Sequence, residues 1–126
     1  MYSQNYDPRT YYSPASVLDI FVSADTDQEI KLTALVDSGA DGTILPENVL
    51  VQLNAPYIES RYMTGVTGKR EEVELFLVSI RIGTHKIEGI YAISSEKGSE
   101  PLLGREVLNN LIVTLNGLAE VTEVQW

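Results

Sequence analysis

Residues 36–43 read Val-Asp-Ser-Gly-Ala-Asp-Gly-Thr, and residues 102–106 read Leu-Leu-Gly-Arg-Glu. The first string places a carboxylate, Asp37, at the end of an apolar run of Ile30, Leu32, Ala34, Leu35 and Val36, then turns sharply through Ser38-Gly39-Ala40. A carboxylate buried at such a turn costs free energy unless it is hydrogen-bonded or paired, so its presence points to chemistry. The second string lies far down the chain. It is an apolar pair, then glycine and arginine, entering a helix-like stretch.

Outward from these strings the pattern is mostly strand. Val17, Leu18, Ile20 and Val22 make one run and residues 30–36 another, with residues 25–28 as the turn between them. Pro46 followed by Glu-Asn-Val-Leu-Val-Gln-Leu predicts a short helix, with proline at its first turn and an acid near its start. Residues 57–64 and 69–82 are strand candidates flanking Gly65-Val66-Thr67-Gly68, a hairpin tip. Gly83-Thr84 is a turn, 85–93 a further strand, 94–100 a polar loop, and Arg105–Asn110 a second short helix. Asn116-Gly117, between 112–115 and 118–124, carries the type I′ hairpin signature. Residues 1–15 hold four tyrosines among Ser, Asn, Asp, Pro8 and Pro14 with no periodicity, and read as a flexible leader. The functional reading of that leader is a segment that pairs with a second subunit or is clipped off. Residues 16–126 then make one domain. Many short strands with one or two short helices define an all-β fold, a barrel or a sandwich.

Composition excludes several function classes. At 126 residues the chain has room for one core. A net charge of −9 argues against nucleic acid or an anionic membrane surface as partner. With no cysteine there is neither a disulfide framework nor a thiolate zinc site, which fits a reducing compartment. No basic-then-apolar leader and no bilayer-length apolar run occur, so the expected location is cytoplasmic, away from membranes.

The ordered set of Asp37-Ser38-Gly39-Ala40, a glycine-bearing hairpin and Leu102-Leu103-Gly104-Arg105 resembles the retropepsin-like aspartic proteases. The resemblance covers residues 16–125 and implies a retropepsin-like acid protease barrel with one lobe per chain, working as a homodimer. Asp37, Ser38 and Gly39 are then the catalytic triplet. Ala40 leaves room for substrate backbone. Asp41 contacts substrate and pairs with Arg105. Residues 63–68, with Thr64, Gly65, Val66 and Thr67, form a flap over the peptide. Leu102, Leu103 and Gly104 support the active-site loop, and residues 111–125 supply strands at the dimer interface. Two departures stand out: serine replaces the threonine common in relatives, and the N-terminal segment is long for the compact viral form.

The chemistry agrees. Peptide hydrolysis without metal or covalent intermediate needs two carboxylates sharing a proton, one as base on water and one as acid on the carbonyl oxygen. The chain has one Asp-Ser/Thr-Gly, so the second carboxylate must come from a second copy across a two-fold axis. No cofactor or metal is implied. The expected function is an aspartic endopeptidase acting on peptide or protein substrates; the alternative is a peptide-binding or assembly domain of the same fold.

Other readings fail on particular residues. A lone Asp-Ser-Gly is usually only a turn, but the strand before it and the Leu-Leu-Gly-Arg after it weigh against that. A calcium loop over 37–48 lacks an oxygen ligand at Gly39 and has Asn48 in place of the bidentate glutamate. Gly65-Val66-Thr67-Gly68 lacks the flanking helices of a KH loop. It is no P-loop either, because the upstream glycine falls at Met63. His85, the only histidine, reads as a surface strand residue.

Overall fold

The computed structural model describes residues 1–65, 67–96 and 98–126. Its strands are β1 (Tyr2–Asn5), β2 (Val17–Ser23), β3 (Ile30–Val36), β4 (Ile44–Pro46), β5 (Tyr57–Thr64), β6 (Arg70–Ile82), β7 (His85–Ser95), β8 (Leu102–Leu103), β9 (Ile112–Asn116) and β10 (Val121–Gln125). Two short helices, α1 (Glu47–Gln52) and α2 (Arg105–Leu108), complete it. The fold is mostly β, as the pattern predicts. Among the described residues no helix is long and apolar enough to cross a membrane.

The main sheet runs β2-β3-β8-β4-β7-β6-β5, and β2 also pairs with β6 through Phe21↔Arg81, Val22↔Ile80 and Ser23↔Ser79. That extra pairing closes six strands into a barrel and leaves β5 outside it, attached to β6 alone. Closure leaves few strand edges open to other chains. The alternation read in the sequence fills the interior: Leu18, Ile20 and Val22 of β2 and Ile80 and Ile82 of β6 are fully buried. They pack with Leu45, Leu50, Leu103 and Val107. At the seam, Arg81 grips both carboxylate oxygens of Glu29 at 2.8 and 2.9 Å and lies 4.1 Å over the Phe21 ring.

β6 is long because it serves two partners. Its second half pairs with β7 in the barrel, and its first half pairs with β5 as an arm. The arm's side chains are mostly exposed. Cross-strand contacts stiffen it: the Arg70 guanidinium sits 4.4 Å over the Tyr62 ring, and Tyr57 meets Phe76 edge-on at 5.8 Å. A register shift between Tyr57 and Glu59, a bulge, re-aims the strand at the arm's base.

Three expectations are corrected. Residues 1–15 are not a free leader. Tyr2–Asn5 forms β1 against β10, in a separate sheet of order β1-β10-β9, and Asp7 bridges Ala15. The segment has no apolar period because it is a four-residue outer strand, held by its backbone ladder to β10 and by the Tyr2 and Gln4 side chains. Asn116-Gly117 does not make a two-residue turn. Asn116 pairs with Val121, so four residues form the loop. The Asn116 side chain accepts the Ala119 N–H at 3.0 Å, and Glu120 takes the positive φ of 52°. His85 is half-buried rather than merely superficial, stacked on Trp126 at 5.2 Å.

Core and surface leucines should respond differently. Leu18→Ala is expected to lower unfolding free energy by about 2–5 kcal/mol, whereas Leu118→Ala, at a fully exposed site, should stay within about 0.5 kcal/mol. Denaturant midpoints at unchanged m-value check both.

Candidate active site

The site is built where β3 ends. β8 lies between β3 and β4, parallel to the first (Leu35↔Leu102, Val36↔Leu103) and antiparallel to the second (Ile44↔Leu102). The chain joining β3 to β4, residues 37–43, must therefore arch over the end of β8. Backbone bonds lock the arch to the end of β8 and the start of α2. Asp37 N–H donates to the Leu103 carbonyl at 3.0 Å, Arg105 N–H to the Ala40 carbonyl at 2.8 Å, and Glu106 N–H to the Asp41 carbonyl at 3.2 Å. The last two satisfy first-turn donors of α2, which has no side-chain N-cap.

Gly104 is required by this interlock. A Cβ there would overlap the Gly42 carbonyl and lie 2.9 Å from the Ala40 oxygen, both backbone atoms that cannot yield. Its N–H donates to Thr43 Oγ1 at 3.2 Å, and Thr43 is fully buried. Arg105 then clamps the arch from outside. One nitrogen donates to the Ser38 carbonyl at 2.8 Å and another to the Asp41 carboxylate. The Asp41 side chain is 81% exposed, so as a simple ion pair this is worth only about 0–1 kcal/mol. What it contributes is geometry, because it ties both ends of the Ser38–Asp41 turn to one planar group.

Asp37 is half-buried at the start of the arch. Its Oδ1 accepts the Gly39 N–H at 2.9 Å. A Cβ on Gly39 would lie 3.1 Å from that same oxygen, so a side chain there would crowd the carboxylate. Ser38 and Gly39 are exposed, and Ala40 is half-buried.

The hairpin expected as a flap is the tip of the β5–β6 arm. Thr64 pairs with Arg70, Gly65 N–H donates to the Lys69 carbonyl at 3.1 Å, and Gly68 N–H to the Gly65 carbonyl at 2.9 Å. Gly68 has φ +80°, a conformation that favours glycine. Thr64, Gly65 and Thr67 are exposed; Val66 lies outside the described residues. The arm and the arch share a cavity of about 350 Å³, lined by Asp41, Gly42, Arg61, Tyr62, Met63 and Glu106 among others. A second cavity, of about 370 Å³, joins Val36 and Ser38 to Leu108, Leu111, Val113 and Leu115.

Sequence reasoning missed three supports. Thr43 and Gly42 follow the motif directly, and a small residue, then a hydroxyl, before the apolar Ile44-Leu45 was the available signal. Glu106 had none. Its Oε2 accepts the Tyr91 N–H of β7 at 3.1 Å, and its Oε1 is shielded from solvent without a hydrogen-bond partner among the described residues. Burial pushes its carboxyl up, against the pull of the Tyr91 N–H and the Arg61 charge.

Solved structures with this architecture set the context. The EIAV protease complexed with the inhibitor HBY-793 is 21% identical, with a TM-score of 0.58 over 80% of this chain and 92% of that one. A retropepsin-like aspartic protease from Rickettsia conorii is 15% identical, with a TM-score of 0.60 over 99% of both chains. The retroviral protease-like domain of Ddi1 from Leishmania major is 14% identical, with a TM-score of 0.54 over 87% of this chain and 89% of that one. No curated protein sequence matches the chain. The family model described as "gag-polyprotein putative aspartyl protease" matches residues 22–110, and the chain belongs to this family of retropepsin-like aspartic proteases.

Two outcomes test the site's construction. Gly104→Ala should destabilise at or above the top of the ~1–3 kcal/mol range for overpacked cores, while Gly65→Ala, whose Cβ meets nothing within 4 Å, should fold like wild type by denaturant titration. Glu106 also sets a pH dependence. Its raised carboxyl favours the protonated form on folding, so its charge costs stability at neutral pH, and the cost vanishes below the ordinary glutamate range. The difference in melting temperature between Glu106→Gln and wild type should therefore be more positive at pH 7 than at pH 4.

Proposed function

We propose that the protein is an aspartic endopeptidase whose active site is assembled from two copies, each supplying Asp37. The observation that carries this reading is the Asp37 turn itself. One carboxylate, in the only Asp-Ser-Gly of the chain, is held by a backbone N–H at the start of an arch locked in place by Leu103, Gly104 and Arg105. One such carboxylate cannot both take a proton from water and give one to a carbonyl oxygen.

In the paired site, the ionised aspartate removes a proton from the attacking water as its oxygen bonds to the scissile carbonyl carbon. The protonated one donates to the carbonyl oxygen. Collapse of the tetrahedral intermediate breaks the C–N bond: the amine nitrogen takes the proton that the first aspartate removed from water, and a hydroxyl of the intermediate returns its proton to the second, restoring the singly protonated pair. Ser38 and Gly39 shape the carboxylate's loop, with the serine hydroxyl facing the twin loop. Ala40 and Asp41 meet the substrate backbone. The arm, with Thr64, Gly65, Val66 and Thr67 at its tip, closes over the peptide and excludes water. No metal or cofactor enters this reaction. The acidic, cysteine-free chain is in keeping with peptide rather than nucleic-acid partners and with a cytoplasmic setting.

Asp37→Asn should reduce turnover of a fluorogenic peptide by at least ~10²–10⁴-fold with the fold unchanged by circular dichroism, and wild-type activity per subunit should fall on dilution. Full turnover by the purified variant would remove the protease reading. A wild-type dimer that binds the peptide without cutting it would leave a binding domain.

A further inference from the structure

We propose that two copies of this chain join edge to edge along β9, and that each copy keeps its own β1 on its own β10, with no exchange of strands. This rests on the two-copy site proposed above and specifies how it is put together.

In the sheet of order β1-β10-β9, β10 is internal, so the sheet has two edges, β1 and β9. The β1 edge is tied down. Gln4 Oε1 accepts the Asp19 N–H of β2 at 2.6 Å and the Tyr2 hydroxyl at 2.8 Å. The β9 edge has no strand beside it among the described residues. It reads Ile-Val-Thr-Leu-Asn, without a charge, proline or bulge of the kind that blunts edges, and its Ile112 and Leu115 are 61% and 58% exposed. An uncharged apolar edge of this length is a template for another strand.

The occupant is a second copy because of where the edge leads. β9 comes directly after α2, and α2 begins at the arginine that clamps the Asp37 arch. Val113 and Leu115 of β9 share a cavity with Ser38. A two-fold axis beside β9 therefore brings one Ser38 loop toward its twin, which is what a divided carboxylate pair needs, and makes the β9–β9′ pairing antiparallel and self-complementary. The joined sheet has six strands.

Several contacts hold both terminal strands to their own barrel. β1 pairs with β10 over Tyr2↔Val124 through Asn5↔Val121, and the Tyr6 N–H extends the ladder to the Glu120 carbonyl at 2.8 Å. Trp126 stacks on His85, and both Trp126 and Tyr2 pack against Gly83 at the β6–β7 turn. Buried Thr122 shares a hydrogen bond with Ser16 at 2.5 Å, just before β2. On its β10 side the N-terminal strand thus has its ladder partners within its own chain. A folded domain fused ahead of Met1 should leave assembly intact, so activity does not await release of the N-terminus.

The chain has no cysteine, which gives a clean test. Ser3 and Glu123 are register partners, close enough for a disulfide in either type of antiparallel pair. Oxidised Ser3→Cys/Glu123→Cys protein should run at monomer mass on a non-reducing denaturing gel while sedimenting natively as a dimer; dimer mass on that gel means exchanged strands and overturns the proposal. Leu115→Lys, which sets two lysines near the axis, should weaken dimerisation at least 10-fold by sedimentation with unchanged circular dichroism, and undiminished dimerisation overturns the β9 edge. An N-terminally fused protein that stays monomeric does so too. A wild-type monomer that cleaves peptide at full rate would instead defeat the two-copy reading itself.

Discussion

The interlock between residues 37–43 and 102–106 is the constraint on which the rest of this structure depends. It is mostly main chain: three backbone N–H groups cross from one segment to the other, and Gly104 lies against the Gly42 carbonyl. Such contacts specify position without much regard to side chains, and they place one carboxylate, Asp37, at a defined point on the rim of a closed barrel. Helix α2 is too short to persist alone. It exists because the arch supplies acceptors for its first turn and Val107 anchors it in the core.

The parts of the molecule divide the labour. The barrel carries the buried side chains, the arch carries the candidate chemistry, and the β5–β6 arm projects from the barrel and walls one side of a cavity that the arch also lines. Because β6 runs unbroken from arm to barrel, the arm shares one strand with the barrel wall. Its direction is set by barrel curvature and the bulge near Tyr57. The exposed Arg105–Asp41 pair shows the same economy: it adds little free energy and much orientation.

Legibility in the sequence tracked the range of the forces involved. The long strands were plain because burial imposes alternation, as at Leu18, Ile20 and Val22. Pro46 announced α1. Asp37-Ser38-Gly39 and Gly104-Arg105 were readable because backbone geometry there admits few residue types, although the functional roles assigned to them rest on the family resemblance. What could not be read is held by distant partners. β8 is two residues long and exists only between β3 and β4. β1, Tyr-Ser-Gln-Asn, has no pattern because β10 supplies its order. At Asn116 the side chain captured a backbone N–H and made a longer turn than the Asn-Gly pair suggests. Glu106 looked like any helical acid, since nothing local reveals that Tyr91 of β7 lies within reach.

The exposure of the arm also bears on how such a protein can change over generations. Residues 61, 62, 64, 65 and 67–72 lie largely in solvent, and a side chain added at Gly65 meets nothing. Substitutions there leave the barrel's stability nearly untouched, whereas a side chain at Gly104 collides with the backbone of the arch. Selection can therefore rewrite the arm's surface while the frame stays fixed. Lineages of this fold are expected to diverge fastest along the arm and slowest around Asp37 and Gly104.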